Sequence, residues 1–391
     1  MPKYKNFNNL IKSETEYDHP EHLKDLIKLI KKYSSIRFFS SKHAFNDISL
    51  SHQNMINMDK FDKILEYDKY NNTVKVESGI KISKLLRELK KYNLTIPILP
   101  AISSASIAGT ISTNTHGSCN IPASISDIVT KIVLIKENGQ AIEIDKNSKY
   151  FPAAICSLGT IGCIYSVSLN VTDLFYIKET VKKMESEIFY KNVNMILEKY
   201  EYTQCFLNWQ KPKFMEVSFR KVTNKKTNNT YFNSDLLTFP DKSHYIETEL
   251  AVDLKYIETF ILDIIKFHKN NSIKYDIYPN SHLLLRFSAP GNSLIGMNSN
   301  HKTLYVSTFF DVPKDKEQVT LIYEYLELLS DAFIIKYKAR PHYSKIHNLD
   351  YHKMRILYGD NFLKFLKIKQ ELDPNNKFNN EFINKLLIKN T

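Results

Sequence analysis

No stretch of this 391-residue chain approaches the run of apolar residues that a membrane-spanning helix needs, about 18 in a row, so a transmembrane anchor is not expected. The first twenty residues, MPKYKNFNNLIKSETEYDHP, lack the apolar core of a secretory signal, which points to a cytosolic location. Cysteine is scarce. The four residues Cys119, Cys156, Cys163 and Cys205 form no CxxC pair, so buried reduced thiols are expected and neither a disulfide framework nor a zinc site. Glycine is scarcer for the length, nine in all, and none falls into GxGxxG or GxxxxGK[ST], which argues against a Rossmann dinucleotide site or a P-loop. Internal repeats and low-complexity linkers are also missing. What is present is ordinary for a soluble globular protein of two or three domains: 43% hydrophobic and 25% charged residues. The formal charge of +12 is spread along the chain among Asn, Ile and Tyr and not gathered into a basic stripe, so nucleic acid is not an expected partner, whereas an anionic substrate is compatible with it.

The first third alternates helical and strand patterns. Pro20 followed by Leu23, Leu26, Ile27 and Ile30 starts an amphipathic helix, and Ile82, Leu85, Leu86 and Leu89 repeat that spacing after the strand-like TVKVESG. KIVLIKENGQAIEI predicts a hairpin turning at Asn138-Gly139, and CIYSVSLNV a strand ending near Val171. From about 173 to 335 longer strands (CFLNWQ, FMEVSFR, HLLLRFS, TLYVSTFF) are broken by two amphipathic helices near 255–268 and 315–333, an α+β pattern of a second domain folded over the first. Six of the nine glycines fall between Gly79 and Gly162, and Gly109, Gly117, Gly159 and Gly162 lie among Ser, Thr and other small residues. Such segments let the backbone approach a ligand closely and offer donors to phosphates, so a cofactor cradle is expected there.

Three segments, IRFFSSKHAFNDIS (36–49), LPAISSASIAGTISTNTHGS (99–118) and SLGTIGCIYSVSLNV (157–171), together resemble the vanillyl-alcohol-oxidase type of FAD-binding proteins, and within it the sugar-1,4-lactone and alditol oxidases. The resemblance runs nearly end to end. It implies an α+β protein with a two-subdomain PCMH-type FAD-binding domain over 1–172, an α+β substrate-binding cap with an antiparallel sheet over 173–335, and a C-terminal segment over 336–391. His43 falls where many members bond the flavin covalently, with Ser40, Ser41, Lys42, Ala44 and Phe45 beside it in the cofactor site. In family terms the second segment wraps the FAD pyrophosphate, which assigns Ser103, Ser106, Gly109, Thr110, Ser112, Thr113, His116 and Gly117 to the cofactor, and the third contributes Gly159, Gly162 and Ile164.

KARPHYSKIH (338–347) resembles the family's Arg-Pro-His-Trp-Gly-Lys motif, with Tyr343 and Ser344 in place of Trp and Gly. If helical, it would set His342 and Lys345 on one face. In the implied reaction an alcohol loses its proton while hydride leaves the same carbon, so cations suit the developing alkoxide. Lys345 and Arg286 are the residues expected to supply them, with His342 orienting substrate or relaying the proton. The family's Glu two residues before this arginine is Leu284 here, and no Asp or Glu occurs between Ile277 and Phe310. A more apolar or more basic pocket is therefore expected, with His282, Leu284 and Tyr343 on the substrate, Trp209 closing it, and dioxygen or another acceptor reoxidising the flavin. A lactone, a phosphorylated or nucleotide-linked sugar and a sugar carrying an apolar group compete with an alditol as substrate. A flavin-fold binding protein without catalysis is the reading from another class.

Overall fold

The computed structural model describes residues 3–238 and 244–389. Its amino-terminal part is built on two sheets. In the smaller one the strands Lys3–Lys5, Lys12–Asp18, Met55–Asn57 and Arg37–Phe39 lie side by side in that order. The larger is antiparallel, in the order Ile64–Asp68, Thr73–Glu77, Cys163–Asn170, Val129–Ile135 and Ala141–Asp145. The expected helices are Leu23–Lys32, which buries Leu26 and Ile30, and Ile82–Lys90, which buries Leu85, Leu86 and Leu89. Asn138-Gly139 turns the hairpin between 129–135 and 141–145, with Gly139 at φ +82°, a conformation glycine adopts without steric cost.

The second layer is an eight-stranded antiparallel sheet. Its order is Thr230–Phe232, Tyr176–Glu185, Phe214–Thr223, Tyr202–Asn208, His282–Ser288, Thr303–Asp311, Tyr245–Asp253 and Arg340–Pro341. One face is apolar: Cys205, Leu207, Leu250, Val252, Leu283, Leu285 and Phe287 pack against helices Ser186–Lys199, Ile257–Tyr275 and Lys316–Tyr337. Because side chains alternate along a strand, the opposite face carries Gln204, Glu247, Glu249, Arg286, Tyr305 and Ser307. All six are buried as well. A sheet face that is polar and yet shielded from water must satisfy its groups internally, and this is where the site lies.

The stretch around His342 is not helical, contrary to the expectation from its spacing. Arg340–Pro341 is the last strand of the large sheet, and the chain then turns, with the Lys345 amide donating to the His342 carbonyl at 2.9 Å. The segment ends in helices Tyr351–Leu372 and Glu381–Leu387, which pack Met354, Phe362, Phe365 and Ile383 against Ala153, Cys156 and Leu158. All four cysteines are buried free thiols. No helix among the described residues is long and apolar enough to cross a membrane.

Candidate active site

A single cleft enclosing about 1440 Å³, part of it open to solvent, runs between the amino-terminal sheets and the polar face of the large sheet. At one end its walls are Ser40, Ser41, Ser106, Gly109, Thr110, Ser112, Thr113, Gly159, Gly162 and Ile164. Alanines 101, 105 and 108 fill the gaps, so hydroxyls, backbone and small side chains make up this wall. Among all residues lining the cleft the one acid is Glu249, at the far end. An extended cofactor bearing a diphosphate fits such a lining, because no carboxylate opposes its charge and no bulky side chain blocks the backbone. Two residues of the motif, Gly117 and Ser103, serve packing instead. A Cβ on Gly117 would stand 2.3 Å from the Leu99 carbonyl oxygen, and Gly117 does not line the cleft. Ser103 also stands off it; its carbonyl accepts from the Ser83 amide at 2.7 Å and so anchors the first turn of the helix Ile82–Lys90.

His43, Lys42, Ala44 and Phe45 lie at the middle of the cleft. The His43 ring is held at both nitrogens, Nδ1 2.6 Å from the Ser41 carbonyl and Nε2 2.6 Å from Ser104 Oγ. Lys42 has φ +59°, uncommon for a residue with a side chain.

At the far end the sheet supplies the chemistry. Arg286 bonds Glu249 through Nη2, and Glu249 also accepts from Ser307 Oγ at 2.8 Å and from His116 Nε2 at 2.8 Å. Beside this cluster Lys345 is paired with Glu247. Both carboxylates come from the strand Tyr245–Asp253, two positions apart and hence on one face. Burial pushes the Glu249 carboxyl up, but Arg286 and His116 outweigh it and hold the group well below the usual range, so it is ionised. Glu247, equally buried, is raised by that burial against the opposing effect of Lys345. Burial also lowers His116, whose ring stacks on Tyr305 with centroids 3.4 Å apart.

His342 lines the same end. Its Nδ1 accepts the Ser344 amide at 3.2 Å, and burial brings its pKa down to about 3, so the ring is neutral and Nε2 carries the proton. In this state the His342 Nε2–H is a neutral donor at that end of the cleft. Of the two roles expected for it, orienting the substrate or relaying a proton, the Ser344 amide on Nδ1 fits the orienting one better.

The expectation of an apolar or basic pocket is corrected by Glu249. The carboxylate missing from the strand of Arg286 arrives from a strand two places away in the sheet, across Tyr305 and Ser307. Each cation at this end therefore has a carboxylate partner. A signal for it stood in YIETELAVD, where Glu247 and Glu249 alternate with apolar residues, yet such a pattern reads first as a solvated sheet face. Four residues expected on the substrate do not line the cleft. Trp209 lies on the apolar side, its Nε1 donating to the Asn280 carbonyl at 3.0 Å. His282 is exposed at the strand's start, and the Tyr343 hydroxyl is buried on the Ile295 carbonyl at 2.6 Å. Leu284 shares the face of Arg286 and stands opposite Ser307 in register, buried short of the cleft wall.

The fold as a whole superposes on the crystal structure of cholesterol oxidase from B. sterolicum with a TM-score of 0.80 over 98% of this chain and 96% of that one, at 14% identity. Residues 15–145 match the family model described as FAD binding domain. Fold and cleft are thus those of the PCMH-type FAD-binding proteins. Residues 210–386 match the family model described as D-arabinono-1,4-lactone oxidase. L-gulonolactone oxidase of Bos taurus is 22% identical over 94% of this chain and 93% of its own length, and alditol oxidase of a Streptomyces species is 22% identical over 88% and 89%. Between them the two models span most of the chain, which is thus similar along its length to the FAD-linked sugar-lactone and alditol oxidases.

Proposed function

We propose that the protein oxidises a CH–OH group of a neutral sugar-derived substrate, an aldonolactone or an alditol, with FAD as the hydride acceptor and His43 as the flavin's covalent anchor. The observation that carries the substrate reading is the pairing of Arg286 with Glu249 and of Lys345 with Glu247. Two cations matched by two carboxylates leave no net charge for a phosphate or a nucleotide diphosphate to neutralise, while Arg286, Lys345, neutral His342 and Glu249 offer donors and an acceptor to hydroxyls. This favours a polyhydroxy compound over the anionic sugars that the chain's overall charge allows.

Bound FAD supplies a two-electron acceptor for the hydride. The protein's part is to hold the alcohol and meet the charge that develops on its oxygen. Lys345 and Arg286 place fixed positive charge at that end of the cleft, and the His342 Nε2–H adds a neutral donor; such preorganised groups act most strongly on the transition state. Glu249 orients the Arg286 guanidinium and accepts from a substrate hydroxyl. Glu247 holds Lys345 in place. Dioxygen or another acceptor returns the flavin to its oxidised form.

The experiment is a spectrum of the purified protein, then anaerobic addition of D-arabinono-1,4-lactone, L-gulono-1,4-lactone and an alditol series. A flavin spectrum bleached by a lactone or an alditol is expected, and so is yellow colour that remains in the acid-precipitated pellet. Bleaching by phosphorylated sugars alone overturns the substrate reading, and flavin lost wholly to the acid supernatant overturns the covalent one.

A further inference from the structure

We propose that the amino-terminal hairpin is a positioning device for His43, acting through Phe7, whose ring holds the imidazole in the attitude from which it bonds the flavin. The inference rests on the reading of His43 as the point of attachment. It starts from a part of the chain outside all the segments that resemble the family's motifs.

The turn between strands Lys3–Lys5 and Lys12–Asp18 lies directly on the His43 loop. The Phe7 amide donates to the Lys42 carbonyl at 3.0 Å, and Asn6 Nδ2 donates to the Ala44 carbonyl at 3.0 Å, so the backbone is fastened on both sides of His43. Between these two bonds the Phe7 ring stacks on the imidazole, with centroids 5.3 Å apart and planes 22° from parallel. Phe7 is fixed in turn by Phe45, edge to face at 4.9 Å, and by Tyr245 at 5.9 Å. Asn8 closes the arrangement by donating from Nδ2 to the Tyr245 carbonyl at 3.0 Å. The same hairpin holds the strained residue before His43. The Lys42 ammonium sits over the rings of Tyr4, Tyr17 and Phe39 at 5.7, 5.0 and 5.3 Å, and the Lys42 backbone keeps its φ of +59°. Tyr4 and Tyr17 both belong to the hairpin strands.

A cofactor can be bound by the cleft walls alone, but bond formation needs one ring nitrogen at one carbon. In the attachment the imidazole would give up its N–H proton and the flavin's 8α-methyl carbon a second proton as a C–N bond forms, leaving the C–H electron pair on the flavin. The two electrons released pass onto the flavin ring and from it to dioxygen, which leaves with two protons as hydrogen peroxide. The Ser41 and Ser104 contacts hold the ring at its nitrogens, and stacking on Phe7 supports its face, so that the ring keeps its attitude when a nitrogen leaves its hydrogen-bond partner for the methyl carbon.

The test uses full-length protein made in a riboflavin-starved host, mixed with FAD in air and sampled over time for acid-stable flavin by in-gel fluorescence. Phe7→Ala is expected to slow attachment by about two- to tenfold, the range that loss of an aromatic pair implies, while the total FAD bound at saturation stays at the wild-type level. Phe7→Tyr, which keeps the stack, should attach flavin close to the wild-type rate. Attachment by Phe7→Ala as fast as wild type overturns the inference. So does a fall in total FAD binding that matches the fall in attachment and is shared by Phe7→Tyr, because the hairpin would then support the fold only. Wild-type protein that forms no acid-stable flavin overturns the His43 reading, and this inference falls with it.

Discussion

Replacing Glu249 by Leu tests the site at its most exposed assumption, that a carboxylate from a distant strand holds Arg286. Glu249 is fully buried and takes three charge-assisted or hydroxyl hydrogen bonds, from Arg286, His116 and Ser307. Leu is close in volume, so the substitution leaves little cavity but strands a buried guanidinium without its counter-charge. Breaking a buried pair in this way costs about 3–5 kcal/mol. In a chain of this size that is a drop in Tm on the order of 4–6 °C. Glu249→Gln should cost less, since its amide oxygen still accepts from Arg286 and His116 can carry its proton on Nδ1, 3.0 Å from the Gly117 carbonyl, leaving Nε2 to accept from the new amide. The decisive variant is Glu249→Leu combined with Arg286→Met. With no charge left unpaired it should recover most of the lost stability and yet reduce flavin no faster than Glu249→Leu alone. Because the folded Glu249 carboxyl lies well below its ordinary 4.5, its contribution is complete above that pH and is lost only as pH falls toward the depressed value. Thermal melts and anaerobic flavin reduction, both at neutral pH, supply the two readouts. A single variant that loses less than about 1 kcal/mol would show that Arg286 does not depend on Glu249. A double variant with wild-type reduction would remove the pair from the chemistry altogether.

Lys345→Ala should slow the limiting rate of anaerobic flavin reduction by about 10²–10³ with FAD content unchanged, and an effect confined to substrate affinity would reduce Lys345 to a binding role. Leu284→Glu should not raise activity: it sets a second carboxylate opposite Ser307, itself bonded to Glu249, and a faster enzyme would mean that the site lacks a carboxylate after all. Acid should destabilise the fold well before the carboxylates titrate. Burial lowers His268, His342 and His347 to about 3 and His301 to about 4, so between pH 6.5 and 4 the unfolded chain binds protons that the folded one does not. A Tm that stays flat from pH 7 to 5 would contradict that burial.

Much of this architecture can be read from local pattern. The alternation in TVKVESG, the helical spacing after Pro20 and the Asn-Gly turn each depend on neighbours within a few residues, and the structure forms those elements. The helix Ser186–Lys199 was not anticipated, since its buried positions Phe189, Tyr190, Val193 and Ile196 are set among polar residues. The site is legible only in halves. Its cations announce themselves beside Pro and His in one motif and in an apolar strand in the other. Their carboxylates do not, because Glu249 lies 37 residues from Arg286 and Glu247 lies 98 from Lys345. What joins them is the strand order, in which Thr303–Asp311 separates His282–Ser288 from Tyr245–Asp253. No local spacing encodes that crossover. For His342 the residue type leaves orienting and proton relay both open, and only the Ser344 amide on Nδ1 favours the orienting role.

The loop that carries His43 is also sewn to the segment that carries Lys345. The Phe45 amide donates to the Ser344 carbonyl at 2.8 Å, and Asn46 Nδ2 donates to the carbonyls of Tyr343 and Lys345 at 2.8 and 2.7 Å. The proposed anchor of the cofactor and the proposed cation for the substrate are therefore tied by the same three bonds, although some 300 residues of chain lie between them. Swaying of the large sheet against the amino-terminal sheets would carry both ends of the reaction together, like two marks on one ruler. On that reading the spacing of His43 from Lys345 is held by Asn46, which does not itself line the cleft.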